Sequence, residues 1–404
     1  MGKQLVFILL GFFIGQGSMF IVQTYLVIVG DYKLIADLGI ALGLVSLLQW
    51  IADGGGVYFL SKYDKEKELF NIIGVFVLAR LMIGLLFMIL VFVPIIYFEL
   101  LSKIGNDIII YSPLVVIVWA FNLTGVADSR TANKYLGPLS GLSWFFSSLV
   151  IVFFHESDLV GLSVGAAFCI GLVMTVIFQM HILEVRYARS FFIFSFFDFS
   201  NMVRLIFGYS SAYFSSQGYA RAIPIIINNA IDPMVAGVYI YAKGLINSVG
   251  QIIVFSRRVE FNNLVSSVSV GFNFSNVIKS QKISFFISIL SFVVISFFYI
   301  FSLFVDFFYA YRLVFEFVFI LSVIQFFWVV TSSMSQVLVV LGQTRVFSLV
   351  VFFTCLTSIL FVYYGISVLG VYSVYISEFF MLLVQMFFYL KVIKNSEMCY
   401  ESKS

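Results

Sequence analysis

Two cations and an aspartate are spaced symmetrically in this chain. Arg221 and Lys243 each stand 11 positions from Asp232. Mainly apolar runs flank Asp232 on both sides, so the pattern predicts two antiparallel helices with Asp232 at their turn. Equal distance from the turn means equal depth, about 15 Å along each axis. Charge inside a membrane is costly and faces protein or water rather than lipid. A guanidinium offers a planar fork for phosphate oxygens, and an ammonium adds a compact charge. Two such cations at one depth fit a pyrophosphate or an acidic sugar in a water-filled cavity. The competing expectation is structural: each cation pairs with a nearby carboxylate or reaches the interface along its apolar stem. Pro224, three residues beyond Arg221, removes a backbone donor and can bend its helix.

Further charges lie within apolar runs. Asp53 and Arg80 fall on successive predicted spans at depths that differ by only about 5 Å. That predicts an ion pair, either a fixed strut or a pair that opens during work. Gly54-Gly55-Gly56 follows directly and permits a bend or a close backbone approach. Glu378 lies near the depth expected for Lys243, as a counter-ion or as a carboxylate that titrates. Arg257 and Arg258 are expected to end the helix that carries Lys243, where cations suit the negative helix terminus. There they would mark the inward mouth of an anion route.

The elements that position these residues follow from hydropathy. The chain has 404 residues, 62% hydrophobic and 11% charged, with mean hydropathy +1.09. That composition excludes an ordinary soluble domain and predicts an all-α polytopic membrane protein. Spans of roughly 20 mainly apolar residues are expected at 5–29, 34–60, 70–97, 107–126, 136–154, 159–181, 203–228, 235–256, 283–305, 313–341, 346–368 and 370–392. Pro113 interrupts the fourth. With the N-terminus inside, 17 of the 23 Lys and Arg fall on inner segments and 3 on outer ones. The remaining three are Arg80, Arg221 and Lys243. This bias predicts both termini in the cytoplasm. The stretch 182–202 mixes cations with aromatics and reads as a membrane-surface link. It also divides the chain into two six-helix lobes, residues 1–190 and 191–404. The layout predicts parallel repeats around a central cavity.

Several chemistries find no support. Cys169, Cys355 and Cys399 have neither pairing nor ligand spacing and are expected as free thiols. Two histidines far apart do not make a metal site. No phosphate-binding loop for ATP is present, and no cofactor is expected. No serine or cysteine nucleophile has a nearby histidine. The outer loops are short, which argues against a polysaccharide polymerase or membrane glycosyltransferase. A net charge of +3 gives no reason to expect nucleic acid.

Three stretches carry a family resemblance: Leu44 to Leu60 with Asp53-Gly54, Trp119 to Lys134 with Gly125-Val-Ala-Asp128, and Val238-Tyr-Ile-Tyr-Ala-Lys-Gly-Leu-Ile. With the span layout, the chain resembles the Wzx-type polysaccharide (O-antigen) flippases of the multidrug/oligosaccharidyl-lipid/polysaccharide exporter superfamily. It departs where Gly54 replaces an aromatic after Asp53 and where Thr124 replaces a glutamine before Gly125. The resemblance implies a non-enzymatic flippase for an undecaprenyl-pyrophosphate-linked oligosaccharide, an O-antigen or capsule repeat unit, in the cytoplasmic (inner) membrane. It would work by alternating access beside an O-antigen polymerase and a chain-length regulator of lipopolysaccharide synthesis. Arg221, Lys243, Arg257 and Arg258 would then serve the cargo, and Asp53, Arg80 and Glu378 would serve gating or coupling. The alternative within the superfamily is a multidrug exporter. Such exporters take cationic drugs and would favour carboxylates over the paired cations Arg221 and Lys243.

Overall fold

The computed structural model describes residues 2–53, 60, 69–130, 132–184, 196–269, 274–341 and 343–401. Regular structure among them is helical throughout, and no strand occurs. Ten helical segments there are long and apolar enough to cross a membrane. They correspond to ten of the twelve spans expected from the sequence. The other two, 203–228 and 235–256, lie inside helices of 35 and 37 residues. At 1.5 Å per residue these run about 52 and 55 Å, well beyond a ~30 Å hydrocarbon core. Their polarity comes from residues such as Gln217, Arg221, Lys243, Asn247 and Gln251.

The chain forms two compact units, residues 1–221 and 222–404. The boundary expected at 190/191, residues 185–195 of the charged surface link and the glycine run at 54–56 lie outside the described residues, while the end of that link, from Phe196, belongs to a long helix. In the first unit, α1 (Gly2–Phe12) continues through a π-helical turn, Phe13–Gly17, into α2 (Ser18–Val29). Next come α3 (Tyr32–Asp53) and α4 (Leu69–Tyr97), the latter continuous through Pro94. The fourth predicted span is not one helix. It breaks into α5 (Lys103–Ile109), α6 (Ser112–Ala120) and α7 (Thr124–Ser129). Pro113 sits in the first turn of α6, where its missing N–H costs nothing. A short α8 (Asn133–Leu136), α9 (Leu142–Phe154) and α10 (Val160–Leu183) follow. α3 is the centre of this unit, packed on α4, α5 and α6. Its tight neighbours include Ile73, Phe76, Ala120 and Leu123, all buried with Leu47 and Ile51.

One crossing depends on glycine pairs in both partners. A Cβ on Gly11 would fall 1.9 Å from Gly137 O, and one on Gly141 would fall 2.2 Å from Gly11 O. Gly11/Gly15 and Gly137/Gly141 therefore form two small-x-x-x-small faces that let backbones touch, as membrane helices without a hydrophobic drive require. Gly141→Val should lower the thermal unfolding midpoint of the protein in detergent by several degrees, since overpacking costs about 1–3 kcal/mol. Gly17→Ala is the control and should change nothing, because no atom lies within 4 Å of its added Cβ.

α11 (Phe196–Ala230) runs unbroken through Pro224. A turn at Ile231 and Asp232 leads to α12 (Pro233–Ser269). The second unit continues with α13 (Phe274–Ser280), α14 (Lys282–Phe304), a 3-10 turn at Asp306–Tyr311, α15 (Arg312–Val340), α16 (Thr344–Leu369) and α17 (Tyr372–Glu401). α12 packs on α14 and α15, α15 on α17, and α17 on α16. Small polar groups join these helices: Ser377 Oγ donates to Ser358 O (3.1 Å), and Gln385 Nε2 donates to Thr354 Oγ1 (2.8 Å). Lipid is as apolar as leucine, so such bonds and close packing hold the bundle where burial cannot. Cys169 and Cys355 are free and buried within helices.

Candidate functional site

Arg80 stands on α4 with 1% of its side chain exposed. Its Nη2 donates to Asp53 Oδ1 at 2.7 Å and to Asp53 O at 3.1 Å. Its Nη1 donates to Ala120 O at 3.2 Å and Asn122 O at 2.8 Å. α6 ends at Ala120, and the last carbonyls of a helix have no partner within it. The guanidinium thus caps the C-terminus of α6, where the helix dipole also favours a cation, and ties it to Asp53 on α3. The pair expected from matched depth is present, and it has a further role that matched depth did not reveal. The ring of Phe76, one turn back, lies 4.3 Å from the guanidinium carbon.

The break after α6 is held by side chains that sequence reasoning missed. Asn122 Nδ2 donates to Asp53 Oδ1 at 3.0 Å. Asn122 Oδ1 accepts from Thr124 Oγ1 at 2.7 Å and from Gln179 Nε2 at 3.1 Å. Gln179 Oε1 accepts from the Leu123 N–H at 2.9 Å. Amides inside apolar runs were the available signal, because a buried amide must find partners. Two of the three stretches that carry the family resemblance, around Asp53 and around Thr124, therefore meet in this network.

Lys243 lies on α12 and Glu378 on α17. Lys243 Nζ donates to both carboxylate oxygens, at 2.7 and 2.9 Å. The Tyr239 hydroxyl lies 3.5 Å from Glu378 Oε1. Glu378 is almost fully enclosed, while Lys243 keeps 27% of its side chain exposed. The counter-ion role expected for Glu378 is the arrangement found. Lys243 is a neutralised cation here, with one open side.

Arg221 is different. Its Nη2 donates to Ser46 Oγ at 3.3 Å, and its buried Nε has no partner. Among the described residues no carboxylate pairs with it. It rests on α3 at Gly43, where a Cβ would come within 3.1 Å of its Cδ and Nη1. The side chain is half-buried rather than sealed. Gly43 and Ser46, which sequence reasoning did not single out, make its seat.

The expected position of Arg257 needs correction. α12 does not end there but continues to Ser269. Arg257 is 2% exposed. It donates to Val329 O, Ser332 Oγ and Ser333 Oγ on α15, with its guanidinium carbon 5.3 Å from the Trp328 ring centre. The run 257–269 is polar enough to read as a loop, yet Leu264 packs with Val277, Met334 and Val337 and keeps it helical. The side chain of Arg258 lies outside the described residues. Nearby Glu260, which no sequence signal marked, accepts from Ile283 N at 2.8 Å and Ser284 Oγ at 2.8 Å and caps α14. No group of three or more metal-ligating side chains occurs among the described residues.

No family model matches the sequence. No curated protein matches it either. Solved structures do match the fold. An inward-facing multidrug resistance MATE family transporter of the MOP superfamily aligns with TM-score 0.61 at 16% identity, over 97% of this chain and 95% of that one. The chain shares that structure's fold. An outward-facing MATE family transporter of the same superfamily gives TM-score 0.56 at 14% identity, over 98% and 97%. The lipid II flippase MurJ, in an inward closed conformation, gives 0.56 at 12% identity, over 97% and 86%. The likeness spans both units, and at these identities it speaks for the fold alone. Arg80 and Arg221 in the first unit and Lys243 and Arg257 in the second lie within the fold shared with these structures.

Proposed function

We propose that this chain is a flippase of the Wzx type, which moves an undecaprenyl-pyrophosphate-linked oligosaccharide, an O-antigen or capsule repeat unit, across the cytoplasmic membrane. The observation that carries this reading is Arg221, a half-buried guanidinium with no carboxylate beside it among the described residues. An unneutralised cation at membrane depth is retained at a cost, and an anionic cargo supplies the missing partner. The other cations are satisfied: Arg80 by Asp53 and Lys243 by Glu378. Lys243 is the second cargo contact. It reaches the cargo anion when the pair opens, and Glu378 takes it back afterwards. Asp53 and Arg80 hold α3 and the break after α6 together, and so determine when those helices move. In this reading the chain alternates access to its cargo between the two sides of the membrane, with both termini cytoplasmic. A polymerase and a chain-length regulator receive the exported unit.

Arg257 is left out of the cargo site because it is 2% exposed and both its Nη groups donate to α15, although its Nε, like that of Arg221, has no partner. A cationic drug would meet repulsion at Arg221, so multidrug export is the outcome that opposes this reading. The test is a chain carrying both Arg221→Ala and Lys243→Ala, expressed in cells that depend on this gene for surface glycan. Surface glycan should be lost while folded protein remains in the membrane, and resistance to cationic drugs should match that of cells lacking the gene. Full glycan export by the double variant, or drug resistance conferred by the wild type without glycan export, would remove the proposal.

A further inference from the structure

Glu378 has a second donor on α12 besides Lys243. Lys243 Nζ holds both carboxylate oxygens, at 2.7 and 2.9 Å. The Tyr239 hydroxyl is directed at one of the same oxygens, Oε1, from 3.5 Å. Tyr239 and Lys243 stand four residues apart, so they lie one above the other on a single face of α12. A separation of 3.5 Å exceeds that of an ordinary hydroxyl bond. The contact is therefore slack while the ammonium holds the carboxylate.

Packing keeps the tyrosine where it is. Tyr239 is 2% exposed. Its ring lies 6.4 Å from the Tyr375 ring, which meets Phe317 of α15 edge-on at 5.5 Å. Tyr375 and Phe317 are buried as well. The members of the ion pair are unequal in the same respect. Glu378 is enclosed, while Lys243 has an open side and a long flexible stem. The lysine is thus the group free to leave, and the carboxylate and the tyrosine are the groups that stay. A carboxylate left enclosed without a donor is strongly unfavourable, and that cost alone would keep the lysine from turning away.

We infer that Tyr239 is a positioning residue that takes over Glu378 when Lys243 turns to an anion. A rotation of the carboxylate brings Oε1 to bonding distance of the hydroxyl, which donates to it. No proton changes hands, and the carboxylate stays in place for the return of the lysine. Tyr239 thereby sets how easily the Lys243–Glu378 pair opens. The inference rests on the reading of Lys243 as a cargo contact, but the exchange of donors at Glu378 is measurable without cargo.

The first test is thermal unfolding of the full-length protein in detergent, with Tyr239→Phe placed in three backgrounds. In wild type the substitution should hardly move the midpoint, because the ammonium holds the carboxylate. In Lys243→Met it should lower the midpoint by several further degrees, because the hydroxyl is then the donor that remains at Oε1. In Lys243→Met/Glu378→Met the shift should vanish with its acceptor. Equal shifts in all three backgrounds would reduce Tyr239 to a packing residue and overturn the inference, as would no shift in Lys243→Met. The second test keeps the lysine, so it does not depend on the folding of Lys243→Met. Tyr239→Phe should slow flipping of a fluorescent undecaprenyl-pyrophosphate oligosaccharide about tenfold, the rate equivalent of one hydrogen bond to a charged group. In Glu378→Gln, where no carboxylate holds the lysine, Tyr239→Phe should leave the rate unchanged. An unchanged rate for Tyr239→Phe in a protein that Arg221→Ala does slow would overturn the role of Tyr239 alone. A wild-type protein that flips no such lipid would remove the cargo reading and leave the unfolding series to decide the exchange of donors.

Discussion

Arg80→Met should be the most destabilising single substitution within the first unit. The variant should fold poorly, with its unfolding midpoint in detergent far below wild type. Removing one partner of a buried ion pair costs about 3–5 kcal/mol. Here it also leaves the carbonyls of Ala120 and Asn122 without their donor, at about 1–3 kcal/mol for each group that finds no other. Methionine keeps the apolar stem and its contact with Phe76, so the loss belongs to the guanidinium. Arg80→Lys should recover only part. Lysine retains the charge but cannot join Asp53 to the end of α6 with a planar fork. Asp53→Asn should be milder, because Arg80 keeps three backbone acceptors and Asn122 can turn its amide. An Arg80→Met protein as stable as wild type would show that α3 and the end of α6 are held together by something else.

Lys243 and Glu378 should behave asymmetrically. Lys243→Met leaves a carboxylate with 5% exposure and only the distant Tyr239 hydroxyl as donor among the described residues. Glu378→Gln leaves an ammonium that is already partly open. The lysine variant should therefore lose more stability, by about 2–4 kcal/mol, and the double variant Lys243→Met/Glu378→Gln should recover much of it. A double-mutant cycle on unfolding free energies measures the coupling directly. Additive effects of the two substitutions would mean that the pair is not formed in the protein. Transport separates the two roles further. Glu378→Gln frees Lys243 permanently and should tighten cargo binding while slowing release.

Much of this architecture was readable in the residues. Apolar runs of sufficient length located the spans, and counting from Asp232 placed the turn between α11 and α12. Matched depth found Asp53 with Arg80, and the same reasoning put Glu378 near the depth of Lys243, where a counter-ion was one of two expected roles. What escaped was structure created by residues distant in sequence. The break at Phe121 to Leu123 has no glycine or proline to signal it. It is held because Arg80, forty residues earlier, donates to the freed carbonyls, and because Gln179 Oε1 accepts from the freed Leu123 N–H. The glycine crossing pairs Gly11 with Gly137 and Gly141 across more than a hundred residues. Gly43 is an ordinary small residue until Arg221 lies on it. Arg257 was misplaced because a polar run resembles a loop when the helix it packs on cannot be seen.

The most direct measurement is flipping of a fluorescent undecaprenyl-pyrophosphate oligosaccharide by the purified protein in vesicles, with Arg221 as wild type, Lys and Ala. Rates are normalised to folded protein. A single missing charge-assisted contact is worth about 1.5–3 kcal/mol, so Arg221→Ala should flip the lipid at least about tenfold more slowly. Arg221→Lys, which keeps the charge without the fork, should fall between. A rate unchanged in Arg221→Ala would contradict the assignment of this guanidinium to an anionic cargo.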